Sequence, residues 1–411
     1  MVSSTGAAGC SVTTSAILLI AAGMARRRSA MRRAIVSPLP MSRVRGTIAS
    51  NFSSGSGRVL SSGDPCWNEN YSHATKTSNR TTSQMSHEPL LVGVDAGGTS
   101  TRAVLTDLTG RCLGYGIGGR GNPISAGPER AAAGVLDAIR GALEPTGRRL
   151  DDVSMIVAAM AGMRASGGSG WLMQRLIPAG YRGALRFESD LLAAYFSGAA
   201  APFGYALVSG TGACVIRVQD GRIDAAGDGL GWLLGDRGSG FWIGHAIARA
   251  AVQDLDGTAP PTALTDRVLA HYGLERTDVR TDGRQLELEE LIGRLYGHPP
   301  IELAVLAPYA FDVDDTVARG ILTAAGEHLA DTLSAVLDGS GPVVVGGSVL
   351  ARPGPVRDAF IARLGASGER LDLRPVSDGA VGAAVLAVRA AGGVADEAVL
   401  ARLTDSVASF R

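Results

Sequence analysis

Two segments of this chain, residues 90–116 and residues 204–227, repeat one pattern of strands and glycine-rich turns. Each indicates an apolar strand, a tight turn of glycine and threonine, a second strand, a polar turn and a third strand. Glycine turns expose backbone N–H groups and let an anion approach closely. Two such units, facing each other across a cleft, would hold the two ends of a triphosphate. The repeat therefore predicts an ATP-dependent phosphotransferase.

Length and composition exclude several classes of partner. The chain has 411 residues, which predicts two domains or more, and its 39 Lys and Arg residues balance 39 Asp and Glu residues. This balance gives no reason to expect nucleic acid or an acidic membrane as a partner. The four cysteines form no CxxC pair and no cluster with histidine, so neither a disulfide framework nor a zinc site is indicated. A reducing, cytoplasmic setting fits best.

The first 86 residues differ in composition from the rest of the chain. They are rich in Ser, Arg, Gly and Thr, and no acidic residue precedes Asp64. The apolar run 16–22 is too short to span a bilayer, and the arginines at 26–28 follow it, which is the wrong order for a secretory signal. Two interpretations stay open: an organelle transit peptide, or a start codon assigned upstream of a natural start at Met85. Under either one we expect residues 1–86 to be disordered.

The remaining sequence predicts two halves with a shared plan, residues 87–202 and 203–395, and a C-terminal tail, residues 396–411. Each half begins with a three-strand unit and continues with buried strands and crossover helices, which together form an α/β layer. The second half is larger because it contains a long helical region, residues 261–339. Apolar spacing predicts helices at 128–143, 171–179, 191–198, 241–254 and 380–391, and strands at 155–159, 184–187, 342–345 and 371–373.

Two other glycine-rich nucleotide sites fit the sequence poorly. A Rossmann fingerprint runs from a strand through GxGxxG into a helix. Here AGGTSTRAVLTDL leads from a turn into a second strand, because its alternating and β-branched residues do not support a helix. A Walker P-loop is also a poor fit, since no GK[ST] follows the glycines.

The turn after the first strand carries residues that suit a metal-bound phosphate. Asp95 ends that strand, and phosphoryl transfer needs a carboxylate near Mg²⁺, acting directly or through water. The Gly-Gly-Thr turn at 97–99 offers N–H and hydroxyl donors to phosphate oxygens. Two alternatives remain: an aspartate that caps a turn, and a type I′ hairpin that needs glycine for positive φ. The matching Ser-Gly-Thr-Gly turn at 209–212 strengthens the phosphate interpretation.

Three polar residues and a third glycine turn are further candidates. Asp190 follows a strand and precedes a helix, which places it at the edge where open α/β sheets bind ligands. It would act as the general base for a sugar hydroxyl, or Ser189 or Asp190 would cap the helix. Asp236 lies between glycines in GDRGSG, and Asn122 would bond sugar hydroxyls or form a turn. The Gly-Gly-Ser turn at 346–348 would admit adenosine, or merely separate a strand from a helix.

The segment from about residue 90 to residue 389 resembles the N-acetylglucosamine kinase group of the BadF/BadG/BcrA/BcrD-type ATPases, within the actin–Hsp70–sugar-kinase superfamily. The matching motifs are VDAGGTSTR, the SD of FESDLLAAY, VSGTG, GLGWLLGDRGSGFWIG and VVGGSV. The resemblance implies two RNase H-like domains with mixed sheets, and ATP and Mg²⁺ in the cleft between them. It also implies an amino sugar as the phosphate acceptor and a homodimer.

The resemblance implies a role for each site residue. Asp190 is the base for the sugar 6-hydroxyl, and the acceptor pocket is lined by Asn122, Asp190, Gly229 and Asp236. Asp95 is the expected Mg²⁺ contact, acting through water. The nucleotide contacts expected from the turns and the resemblance together are Asp95, Gly97, Gly98, Thr99, Thr211, Gly212, Gly346 and Gly347.

Two departures from the family pattern leave the acceptor open. Cys214 stands where some members carry an asparagine near the amino sugar, and Arg237 stands where GDEGS is commoner. N-acetylglucosamine and glucosamine are therefore both candidate acceptors. An ATPase switch protein without a sugar acceptor is the alternative from another class. The zinc motif of the ROK sugar kinases and the cysteine ligands of the iron–sulfur dehydratase activators are not evident in the sequence.

Overall fold

Two five-stranded sheets with flanking helices confirm the predicted α/β fold. The structure is a computed structural model, and the residues it describes are 88–162, 170–365 and 371–411. The predicted N-terminal extension, residues 1–86, lies outside these described residues. No helix in the described ranges combines the length and the apolar composition that crossing a bilayer requires.

The first sheet has the strand order β3-β2-β1-β4-β5. Its first three strands are antiparallel, as the repeat predicted, while β4 runs parallel to β1 and β5 runs parallel to β4. The carboxyl ends of β1, β4 and β5 therefore meet at one edge. The strands are β1 (Leu90–Ala96), β2 (Thr101–Thr106), β3 (Cys112–Gly118), β4 (Val153–Ala159) and β5 (Ala184–Glu188), and the helices are α1 (Pro123–Ala126), α2 (Pro128–Leu143), α3 (Gly170–Leu176) and α4 (Asp190–Gly198).

The second sheet, with the order β12-β11-β6-β7-β8, has the same arrangement and confirms the repeat. Strands β6 to β8 are antiparallel, and β11 and β12 extend the sheet in parallel beyond β6. The strands are β6 (Gly204–Ser209), β7 (Ala213–Gln219), β8 (Arg222–Asp228), β11 (Pro342–Gly346) and β12 (Asp372–Pro375), and the helices are α5 (Gly240–Leu255), α6 (Ala263–His271), α7 (Leu286–Tyr296), α8 (Thr316–Ser334), α9 (Pro355–Gly365), α10 (Gly379–Ala390) and α11 (Glu397–Ala408).

The region predicted as helical, residues 261–339, is interrupted twice. A small hairpin pairs β9 (Arg280–Thr281) with β10 (Arg284–Gln285), and Pro300–Ala310 forms a 3₁₀ segment. The hairpin turn is Asp282-Gly283, with positive φ at both residues (51° and 85°), which is the geometry of a type I′ turn. The Asp-Gly dipeptide was therefore the sequence signal for this hairpin.

The last two helices pack against strands of the first half, which differs from the division predicted from the sequence. Helix α10 is apolar all round, and residues 380–388 are all buried. It lies so close to β1 that a Cβ on Gly93 would be 2.1 Å from Ala384 N. The predicted tail, residues 396–411, contains helix α11, whose Leu403 is fully buried in the same core as β1 and β7 residues. This shared core joins the two halves.

Candidate active site

The first glycine loop joins β1 to β2 and presents open backbone. Gly97 N donates a hydrogen bond to Ser100 O at 3.1 Å, and Gly98 and Thr99 are exposed. The type I′ alternative is wrong, because neither Gly97 nor Gly98 has a positive φ. A Cβ on Gly98 would meet no atom closer than Ser125 Oγ, at 3.5 Å. The space above this loop is therefore free for a ligand.

The second glycine loop joins β6 to β7 and is held by the start of helix α5. Gly210 O accepts from Gly240 N at 2.7 Å, and Thr211 O accepts from Phe241 N at 3.1 Å. Inside the loop, Gly210 N donates to Gly212 O at 2.9 Å. The Thr211 residue stays exposed. The start of α5 therefore fixes the backbone of this loop, while Thr211 stays exposed to solvent.

The third glycine turn, after β11, packs directly on the second loop. Gly347 has φ 87°, and a Cβ there would lie 2.1 Å from Ser209 O. Val349 N also donates to Ser209 O at 3.1 Å. Beside this contact is a cavity of about 370 Å³, whose lining includes Thr211, Gly240, Phe311, Ser348 and Arg352. Two of the three predicted nucleotide turns therefore meet at one cavity.

Asp95 lies at the end of β1 with a partly exposed side chain (25%). Its carboxylate rests against the first residue of α10, since a Cβ on Gly379 would be 2.6 Å from Asp95 Oδ2. Burial is the main cause that raises the pKa of Asp95; the Arg102 guanidinium, 3.9 Å away, lowers it, and the Asp190 carboxylate raises it. The two aspartates are therefore close enough to interact.

Asp190 is the first residue of α4, and the N-cap is Ser189. Ser189 Oγ accepts from Leu191 N at 3.2 Å, and Asp190 Oδ1 accepts from the same N–H at 3.0 Å. Among the described residues, no hydrogen bond occupies Asp190 Oδ2. Burial raises the pKa of this carboxyl, and the backbone hydrogen bond from Leu191 lowers it less. A partly desolvated carboxylate with one free oxygen can accept a proton.

Asp236 supports the second glycine loop from within. It is 6% exposed, with φ 57°, and its Oδ1 accepts from Ala213 N at 3.1 Å. A Cβ on Gly212 would be 2.9 Å from the same oxygen. Burial raises the pKa of Asp236, and so does the Asp228 carboxylate. Asp228, which the sequence analysis missed, accepts the backbone N–H groups of Asp236 and Arg237 at 2.6 and 2.9 Å.

Cys214 marks the point where the two halves approach each other. Burial, followed by the carboxylates of Asp228, Asp190 and Asp236, raises the pKa of its thiol to about 11. Asp190 belongs to the first half and the other two belong to the second, so the thiol lies among carboxylates from both. Gly229, with φ 69°, packs on Cys214, because a Cβ there would be 2.7 Å from Sγ. Gly229 therefore packs on this thiol, and Asp190 and Asp236 are close enough to raise its pKa.

Asn122 has both ends of its side chain engaged with backbone. Its Oδ1 accepts from Ile124 N at 2.9 Å as the N-cap of α1, and its Nδ2 donates to Ala161 O at 3.2 Å. Its backbone N–H donates to Gly97 O at 3.2 Å, which ties this loop to the first glycine loop. The turn-forming role is therefore present, and the sugar contact stays a prediction.

A magnesium–nucleotide complex fits the carboxylates that are present. Within the described ranges, no group of three or more His, Cys, Asp or Glu side chains has metal-site geometry. Mg²⁺ does not need such a cage, because it keeps several waters and binds one or two carboxylates plus substrate phosphates. Asp95 has no ion pair shorter than 3.9 Å among the described residues, so its oxygens are accessible to a hydrated ion.

Duplicated mixed sheets, with a glycine loop from each half and an aspartate pair at the edge of the first sheet, define an actin-like ATP-dependent phosphotransferase. The family profile described as the BadF/BadG/BcrA/BcrD ATPase family matches residues 92–387. The chain belongs to this family.

Two curated relatives agree with this assignment, and one solved structure has a similar fold. An N-acetyl-D-glucosamine kinase of Dictyostelium discoideum is 26% identical over 73% of this chain and 98% of its own length. A glucosamine kinase of Vibrio cholerae is 28% identical over 54% of this chain and 77% of its own length. The fold is similar to that of a candidate N-acetylglucosamine kinase of Chromobacterium violaceum, with a TM-score of 0.55 and 24% identity over 73% of this chain and 99% of the other.

Proposed function

We propose that this protein transfers the γ-phosphoryl group of ATP to the 6-hydroxyl of an amino sugar, with N-acetylglucosamine as the acceptor. The observation that carries this proposal is that Asp190 begins α4 directly after β5, at the sheet edge where β1 carries Asp95 near its end, and that one oxygen of Asp190 has no hydrogen bond among the described residues. A base at this edge, on the same side of the sheet as the first glycine loop, supports the transfer of phosphate to a bound sugar hydroxyl. The names of the Dictyostelium and Vibrio relatives support an amino sugar.

The residues divide into three tasks. The two glycine loops, including Gly98 and Thr211, would bind phosphate oxygens through backbone N–H and hydroxyl donors. Asp95 would hold Mg²⁺ through water, and the ion supplies neutralisation of the charge on the phosphates when bound. Asp190 would accept the proton of the attacking hydroxyl through its free oxygen. Most of the rate enhancement then comes from fixed dipoles and charge rather than from the base.

Glucosamine is the second candidate acceptor. Cys214 offers only a weak S–H donor where some family members carry an asparagine, so the site has no amide there to recognise an acetamido group. The similarity to the Vibrio glucosamine kinase favours the same alternative. Proton and phosphorus NMR of the product tests the 6-hydroxyl assignment, because coupling between phosphorus and the C6 protons identifies a 6-phosphate. A 1-phosphate product would contradict it.

The substitution Asp190→Asn tests the base. It keeps the size of the side chain, and Ser189 still caps α4, so we expect the fold to persist. The turnover number should fall by about 10²–10⁴-fold, which is the usual contribution of a general base. The affinity for ADP, measured by calorimetry, should stay close to that of the unsubstituted protein. A variant that keeps more than about half of the turnover would rule out Asp190 as the base.

A further inference from the structure

Asp378 is a buried carboxylate that the proposed reaction does not use. Its side chain is 2% exposed, and its Oδ1 accepts from Ala380 N at 3.0 Å as the N-cap of α10. Three other groups face it: the Tyr115 hydroxyl, which donates to Oδ2 at 3.3 Å, and the guanidinium groups of Arg102 and Arg411. Its position is therefore fixed by the helix start and by two strands of the first sheet.

Arg102 lies between this carboxylate and Asp95. Its Nη1 is 3.6 Å from Asp378 Oδ1 and 3.9 Å from Asp95 Oδ2, so neither contact has hydrogen-bond length. Arg102 is also the residue directly opposite Asp95 in the β1–β2 ladder, and such cross-strand side chains share a face. A close, two-point pair between Arg102 and Asp95 is therefore within reach. That pair would occupy the oxygens that a hydrated Mg²⁺ needs.

We propose that Asp378 is a positioning residue that restrains Arg102, so that Asp95 keeps its oxygens available to the metal–nucleotide complex. The inference rests on the proposed function, because it takes Asp95 as the contact to the metal. Asp378 cannot follow Arg102 toward Asp95, since it is buried and caps α10. Asp95 in turn cannot move toward α10, because its carboxylate already touches Gly379. Of Arg102, Asp95 and Asp378, Arg102 has the most exposed side chain, at 44%.

The substitution Asp378→Asn in the full chain tests this arrangement. Asparagine caps a helix as well as aspartate does, so the cap is kept while the charge is removed. The test quantity is the tightening of ADP binding by Mg²⁺, measured by calorimetry as the ratio of the Kd in EDTA to the Kd in Mg²⁺. We expect this ratio to fall by about tenfold or more, with the Kd in EDTA changed by less than about twofold. An unchanged ratio would overturn the proposal.

Three further variants separate positioning from a loss of structure. Adding Arg102→Met to Asp378→Asn removes the competing cation and should restore the ratio; no recovery would mean that Asp378 acts only on the fold. Arg102→Met alone should keep the ratio at or above that of the unsubstituted protein, and a fall would also overturn the proposal. Asp396→Asn is the matched control, because Asp396 caps α11 by accepting from Val399 N at 2.9 Å. This assay contains no sugar. If the protein phosphorylated none of the sugars tested, the proposed function would be refuted, but the result of this binding assay would still decide the role of Asp378.

Discussion

The contact between the third glycine turn and the second glycine loop can be tested with Gly347→Ala. Gly347 has φ 87°, where an alanine costs about 1–2 kcal/mol. Its Cβ would also lie 2.1 Å from Ser209 O and 2.8 Å from Gly210 N. Because these are backbone atoms, the loop itself must move, and such overpacking costs about 1–3 kcal/mol. The free energy of unfolding should therefore fall by about 2–5 kcal/mol in total.

The same substitution should weaken nucleotide binding. Ordinary contact begins at 3.4 Å, so the backbone of the second loop must shift by about 1 Å. A shift of that size breaks hydrogen bonds that need 2.7–3.2 Å, and each bond to a charged group contributes about 1.5–3 kcal/mol. Losing one such bond corresponds to roughly a tenfold to hundredfold rise in the Kd of ADP, measured by calorimetry.

Gly392→Ala is the matched control for this prediction. Gly392 has φ 82°, and a Cβ there would meet no atom within 4 Å. In Gly392→Ala the free energy of unfolding, measured with denaturant, should fall only by the cost of a positive φ for alanine, about 1–2 kcal/mol. This variant should bind ADP normally. If Gly347→Ala costs no more than Gly392→Ala and keeps its ADP affinity, the packing of the two turns is refuted.

Four other predictions concern residues of the site. Gly98→Val should fold normally, because the space at Gly98 is open, and should raise the Kd of ADP; unchanged affinity in calorimetry would contradict the loop assignment. Burial raises the pKa of Asp190, so the turnover number should fall as pH drops through a value above the ordinary 3.9 or so of aspartate, and Asp190→Asn should remove that limb. Since a raised pKa in the folded state means that ionisation disfavours folding, Asp190→Asn should melt no lower than the unsubstituted protein at neutral pH; a large drop in Tm would contradict this. Burial raises the pKa of Cys214 to about 11, so little reactive thiolate is present at pH 8. Peptide mapping after treatment with an alkylating reagent at pH 8 should therefore show slow alkylation of Cys214, and unfolding in urea should accelerate it.

Local patterns in the sequence were enough to predict the two sheets. Strands and tight turns are determined mainly by neighbouring residues, through the alternation of apolar side chains and the placement of glycine. Both three-strand units and the parallel strands after them were therefore correctly predicted. The position of Asp190 at the junction of a strand and a helix was predictable for the same reason, although it is the first residue of α4 rather than the residue before it. The sequence analysis placed Asp190 at the ligand-binding edge of the sheet but did not pair it with Asp95, whose pKa it raises.

Long-range packing could not be predicted in this way. Helix α10 is apolar on every face, and such a helix does not reveal which sheet will bury it. Asp378 precedes an alanine-rich helix, which is an N-cap signal, but that signal does not indicate the other partners of its carboxylate. The contacts of Asp378 with Arg102 and Tyr115 join residues more than 260 positions apart and have no local signature. Asp228 was missed because its partners are the backbone N–H groups of Asp236 and Arg237, on the far side of a loop. No local sequence pattern indicates that this loop folds back onto Asp228.

The most direct test of the central claim is the release of ADP from ATP with and without sugars. A coupled assay should compare N-acetylglucosamine, glucosamine, glucose and no sugar at saturating Mg²⁺ and ATP. The account predicts that an amino sugar stimulates ADP release far above the rate without sugar, and that Asp190→Asn removes this stimulation. An ADP release rate that is the same with every sugar and with none would contradict it, and would favour an ATPase switch protein instead.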